Sequence, residues 1–140
     1  MPESAAHARL VRAILEYIDG QFGSISNIAV RDDSSSSVRG ERPPVIRGYV
    51  PDVYAMDVPT TVTLIGEAKT RDDLEKAHSE AQISAFLSYL SATRGIFILS
   101  VPLNAGATAR RIAKEYGGRF GAPSTKIVVL DELKVTDIIC

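Results

Sequence analysis

Between Ala5 and Ile18 the apolar residues Leu10, Val11, Ile14, Leu15 and Ile18 recur at helical spacing and Gly20 offers a stop, which predicts a first helix. The period then shortens towards that of a strand. SISNIAV, residues 24 to 30, is a strand candidate. RDDSSSSVRGERPP follows with a serine run, several charges and a double proline, so a mobile loop is expected over residues 32 to 44. PPVIRGYVPDVYAM resumes strand character, DVPT is a turn closing around Val58 to Pro59, and TTVTLIGEAKT is the second arm of a hairpin. From about Asp72 the helical period returns and runs to about Ala92, with Ile83, Phe86, Leu87 and Leu90 on one stripe. RGIFILSVP is almost wholly apolar, as expected of a strand buried on both faces. A further helix, Ala105 to Tyr116, is expected to end at Gly117 and Gly118, and TKIVVLDEL is the last predicted strand.

That order predicts an α/β fold, a three-layer α/β/α sandwich around a central mixed sheet. The 140 residues fit a single domain spanning residues 1 to 140. Hydrophobic residues at 45% and charged residues at 24% are globular values, and no apolar run approaches the roughly 18 residues of a membrane span. Arg9, Arg12 and Glu16 interrupt the apolar residues near the N-terminus, unlike a secretory signal, so a cytoplasmic protein with no membrane partner is expected.

Cys140 is the sole cysteine, and His7 and His78 are the sole histidines, which disfavours thiolate or histidine-rich metal sites. A divalent metal would be held by oxygen, the preference of magnesium, calcium and manganese. A net charge of −1 does not advertise a polyanion partner. Arg31, Arg39, Arg42 and Arg47 cluster around the serine-rich loop, and Arg110 and Arg111 adjoin on a later helix. Solvated charge and a phosphate-contacting rim are both readings of that distribution.

The chemistry concentrates on the hairpin. Side chains alternate along a strand, so Val62, Leu64, Gly66 and Ala68 share one small or apolar face, while Glu67 and Lys69 share the other with Ile65 and two threonines. Antiparallel pairing places Asp52 opposite residues 65 to 67, bringing two carboxylates together. Two adjacent carboxylates repel unless a cation lies between them. Magnesium suits one or two carboxylates with waters and a phosphate, and the Ala68 carbonyl can add a ligand. Lys69 can orient or deprotonate a water, or neutralise charge on a phosphate. Pro51 lacks an N–H and predicts an edge position or bulge beside the site.

Pro51-Asp52, 14 intervening residues, then Glu67-Ala68-Lys69 resembles the motif of the PD-(D/E)XK nuclease superfamily, also called restriction-endonuclease-like. The predicted element order is similar to that family's α-β-β-β-α-β core from about residue 5 to 131. The resemblance implies Asp52, Glu67, Lys69 and Gln82 as catalytic residues, Gln82 standing on the helix after the E-x-K strand. It also implies Glu16 on the first helix as a further metal ligand beside Asp52, Glu67 and Ala68. Arg42, Arg47 and Arg71 are the expected nucleic-acid contacts, and Thr70 is either a phosphate contact or a helix cap. His78 reads as a helix-surface histidine, and Tyr49 and Tyr54 as packing residues.

The function expected is a nuclease dependent on Mg2+ or Mn2+ that hydrolyses phosphodiester bonds, with DNA as the favoured substrate. The alternative is a non-cleaving nuclease-fold module that binds nucleic acid or protein within a defence, repair or mobile-element complex. The small size suits a homodimer or a larger complex.

Overall fold

The computed structural model describes residues 4–23, 29–33, 42–57 and 62–140. The predicted turn at Val58 to Pro59, most of the predicted 24 to 30 strand and the centre of the 32 to 44 loop lie outside the described residues. The elements are α1 (Ala5–Phe22), β1 (Ala29–Asp32), β2 (Val53–Met56), β3 (Thr63–Ala68), α2 (Arg71–Leu74), α3 (Ala77–Leu90), β4 (Gly95–Ser100), a 3-10 turn (Leu103–Ala105), α4 (Gly106–Phe120), β5 (Lys126–Leu130) and β6 (Val135–Ile139). The fold is α/β, with one six-stranded mixed sheet in sequential order β1 to β6. β1, β2 and β3 form an antiparallel meander, β3, β4 and β5 are parallel, and β6 returns antiparallel to β5.

Handedness arranges the layers. Parallel strands added in one direction by right-handed crossovers carry their helices on one face. Accordingly Phe86, Leu87, Ala109 and Ile112 of α3 and α4 cluster with Ile65, Phe97, Leu99, Ile127 and Val129. The opposite face falls to α1, whose Leu10, Val11, Ile14 and Ile18 meet Val53, Ala55, Leu64, Ala68, Ile98 and Val128. The alternation expected along residues 62 to 69 is therefore present, and with the Glu67 and Lys69 face covered as well, both residues are buried.

At Gly66 α1 packs tightly on β3. A Cβ there would lie 2.7 Å from Ile14 Cγ2 and 3.3 Å from Val53 Cβ. Pleating turns the next side chain, Glu67, away from α1.

Several expectations change. The helix expected from about Asp72 to Ala92 is two helices, because Thr70 and Asp73 close a cap on the first turn and Lys76 is extended. Leu74 is buried and Glu75 pairs with Arg111 of α4 at 2.8 Å, so tertiary packing holds the short α2 apart. α4 continues through Gly117 and Gly118 to Phe120. Gly117 there lies close to Cys140 and Ile127, where a Cβ would meet both at 3.1 Å. Asp32, expected in the mobile loop, ends β1 and is buried, as is Pro43.

β6 was not among the predicted strands. Its connection is built by Asp131, whose carboxylate accepts the Leu133 and Lys134 N–H groups and pairs with Arg110. Burial pushes the Asp131 carboxyl up, but Arg110 and those N–H groups outweigh it and hold the group below its ordinary value. No helix among the described residues is long and apolar enough to cross a membrane.

Replacing Gly66 with valine forces branched carbons against the fully buried Ile14. The expected cost is about 1–3 kcal/mol, lowering the thermal midpoint by roughly 4–12 °C. A circular-dichroism melt of G66V no lower than wild type contradicts this close approach.

Candidate active site

The site forms where the β2–β3 ladder ends. Val53 lies opposite Gly66, which puts Asp52 beside Glu67 one step further on. There side chains replace the backbone pairing. The Asp52 N–H donates to Glu67 Oε1 at 2.9 Å, and the Ala68 N–H donates to Asp52 Oδ2 at 2.8 Å. Each strand's carboxylate thus accepts an N–H from the other strand. The Asp33 N–H donates to the Asp52 carbonyl at 2.8 Å, tying the far side of the same residue to the end of β1.

Lys69 extends β3 by one residue, its N–H donating to the Ser100 carbonyl at 3.0 Å. Its Nζ lies 3.4 Å from Glu67 Oε2 and donates to Gln82 Oε1 of α3. Alternation sends Glu67 and Lys69 towards α3, and the restart of that helix at Ala77 sets Gln82 over the lysine. Asp52, Glu67, Lys69 and Gln82, from three separate chain segments, come together as one cluster. It sits at the carboxyl end of β3 and β4, where ligand sites of open α/β sheets gather.

His7, not singled out in the sequence, joins them from the other layer, its Nε2 3.4 Å from Asp52 Oδ2. Ser4 caps α1 by accepting the His7 N–H at 3.0 Å. The available signal was helical register, since His7 stands one turn before Val11 on the stripe that α1 buries.

Glu16 is not brought to the acids. Nine residues after His7 is two and a half turns, which carries its side chain to the opposite side of α1. There it lines a groove of about 350 Å3 with Tyr17, Leu130, Glu132 and Val135. Among the described residues no three His, Cys, Asp or Glu side chains converge as a group able to hold a metal.

The expected nucleic-acid contacts separate. Arg42 pairs with Asp33 at 3.4 Å. Arg47 is exposed at the tip of a two-residue turn with φ 51°, followed by Gly48 at φ 89°. Tyr49 closes that turn by pairing with Ile46 and packs edge-on against His78 and Phe86 of α3. Arg71 is exposed at the start of α2, and Thr70 is that helix's cap. Arg110 and Arg111 are each bound in ion pairs, with Asp131 and Glu75. Tyr54 is a core residue, and His78 is exposed.

Electrostatically the cluster holds two acids and one lysine in a dry place. Glu67 has a side-chain exposure of 3% and Lys69 of 11%. Burial, reinforced by the Asp52 charge, outweighs Lys69 and the Asp52 N–H and pushes the Glu67 carboxyl up to about 8. Such a carboxylate is short of positive charge. An all-oxygen pair of this kind matches a hard divalent cation, whose remaining ligands would come from a backbone carbonyl, water and substrate.

No known protein family, curated protein or solved structure matches this chain.

A carboxyl raised in the folded state stabilises the fold fully below its ordinary value of 4.5, and that contribution is lost as pH rises through about 8. In metal-free buffer the wild-type thermal midpoint should therefore decline between these pH values. Glu67→Gln removes the titration, and the midpoint difference between variant and wild type should shift in the variant's favour as pH rises. Parallel midpoint curves across a pH series of melts would contradict the buried, proton-retaining Glu67.

Proposed function

We propose that this protein is a divalent-metal-dependent phosphodiesterase, a nuclease acting on DNA, with a restriction-endonuclease-like core formed by α1, β1, β2, β3, α3 and β4. The single observation that carries the reading is the joining of Asp52 and Glu67 through each other's backbone, with Lys69 held between Glu67 and Gln82. The meander followed by a parallel strand also supports the core assignment.

Asp52 and Glu67, with the Ala68 carbonyl, would hold Mg2+ or Mn2+. When bound, such an ion supplies Lewis-acid polarisation of the phosphodiester and lowers the pKa of water. The chain's own groups do the rest. Lys69 presents an ammonium beside the acids, positioned to neutralise charge growing on phosphate oxygens or to orient the attacking water. Gln82 acts through Lys69 as a positioning residue. His7 supports Asp52 from α1, and Glu16 has no part. Arg47 and Arg71, both exposed, are the arginines suited to the nucleic-acid backbone.

Two observations favour a second reading, a module that binds nucleic acid without cutting it: among the described residues no buried side-chain polar atom lacks a partner, and no third acidic ligand joins the pair. A gel-shift without products under either metal would select it.

On plasmid, duplex, single-stranded, flapped and four-way DNA, cleavage should require Mg2+ or Mn2+. Lys69→Ala and Asp52→Asn should each reduce it by about 100-fold or more, and Gln82→Ala by about 10-fold. Mg2+ should also raise the wild-type thermal midpoint at pH 8, and raise it less in Asp52→Asn. Robust cleavage by Asp52→Asn overturns the site assignment.

A further inference from the structure

β6 ends the sheet, and its outer edge has no strand partner among the described residues. The ladder to β5 identifies which backbone groups face outwards. The Asp131 N–H donates to the Lys134 carbonyl and the Cys140 N–H to the Thr125 carbonyl, both at 3.3 Å. In the register that pairs Lys126 with Ile139, the even-numbered residues of this strand therefore bond to β5. Val135, Asp137 and Ile139 are left with N–H and C=O groups directed at the open edge. Their side chains share the face covered elsewhere by α1, but Val135 is 54% exposed and Ile139 78% exposed.

We infer that β6 is a self-association edge, pairing antiparallel with β6 of a second copy of this chain about a two-fold axis through Asp137. A two-fold axis perpendicular to the sheet keeps each face continuous and places Asp137 opposite Asp137 of the second copy. The same operation sets Val135 opposite Ile139 of the second copy, and Ile139 opposite its Val135. This register satisfies the outward N–H and C=O groups of all three residues at once. It also places an apolar pair, Val135 against Ile139 of the other copy, on each side of the central acids, and brings Ile139 of the second copy to the open side of the groove lined by Tyr17, Leu130 and Val135.

Like charges facing each other oppose pairing. Here each Asp137 lies 3.7 Å from Lys126 Nζ of its own chain, so the centre of the interface holds two acids and two lysines. A long, apolar, uncharged edge invites aggregation. The two-fold operation uses up both β6 edges, so this pairing closes at two copies.

The inference does not rest on the nuclease reading. The axis carries the two Asp52–Glu67 clusters to opposite sides of the interface, each roughly 17 Å from the axis at the ordinary strand spacing. Neither completes the other.

Sedimentation of the full chain up to about 100 μM, a range suited to an interface well below standard size, should show the mass doubling with concentration. Val135→Lys with Ile139→Lys changes two exposed side chains, and should leave a folded monomer by circular dichroism. Register has its own test. Facing Cα atoms about 5.5 Å apart accept a disulfide, so Asp137→Cys in a Cys140→Ser background should cross-link between copies on oxidation. Thr136→Cys in that background should not. A wild-type chain that stays monomeric, a dimer that survives both lysines, or cross-linking no better at 137 than at 136 overturns the proposal.

Discussion

The crossed pair of hydrogen bonds between Asp52 and β3, and between Glu67 and the start of β2, governs the rest of the molecule. Where the backbone ladder would end in two unpaired N–H groups, the acids of the motif accept them. The Ala68 N–H bond goes to the charged Asp52 carboxylate, and such bonds are about twice as strong as neutral ones, so the motif anchors the hairpin as well as furnishing its chemistry. Their placement creates an electrostatic debt, since Glu67 is buried beside Asp52 with Lys69 the closest cation. Retaining a proton or gaining a cation are the two ways to relieve it.

Layering decides what reaches that corner. Right-handed crossovers commit α3 and α4 to one face, leaving α1 to cover the other. Gly66 lets α1 approach β3 where the acids begin, and the start of α1 then delivers His7 to Asp52. From the opposite layer, the break between α2 and α3 lets Gln82 meet Lys69. α1 reaches across the sheet to β5 through Val128 and Leu130, while Val135 and Ile139 of β6 stay exposed beyond it. One constraint thus assembles the corner and leaves the far edge without a strand partner among the described residues.

Much of this was legible along residues 62 to 69. A strict alternation of apolar and charged residues permits one facing for each side chain, and the spacing from Asp52 to Glu67 leaves little choice of hairpin register. Local rules misled where tertiary contacts outweighed them. Gly117 and Gly118 look like a helix stop, yet the close approach of Cys140 and Ile127 favours a residue without a side chain there and the helix continues. β6 escaped notice because its turn carries no glycine or asparagine; the Asp131 carboxylate organises it instead, with Glu132 at φ 81°.

The sequence by itself determined the sheet's central strands, the two apolar faces and the meeting of Asp52, Glu67 and Lys69, because these depend on alternation and short-range register. Only the tertiary structure decided which helical residues arrive there, because a residue's angle around a helix and the helix's path across the sheet are set by packing between layers. Hence His7 takes the place beside Asp52 that sequence reasoning assigned to Glu16, and Gln82 meets the lysine rather than the solvent.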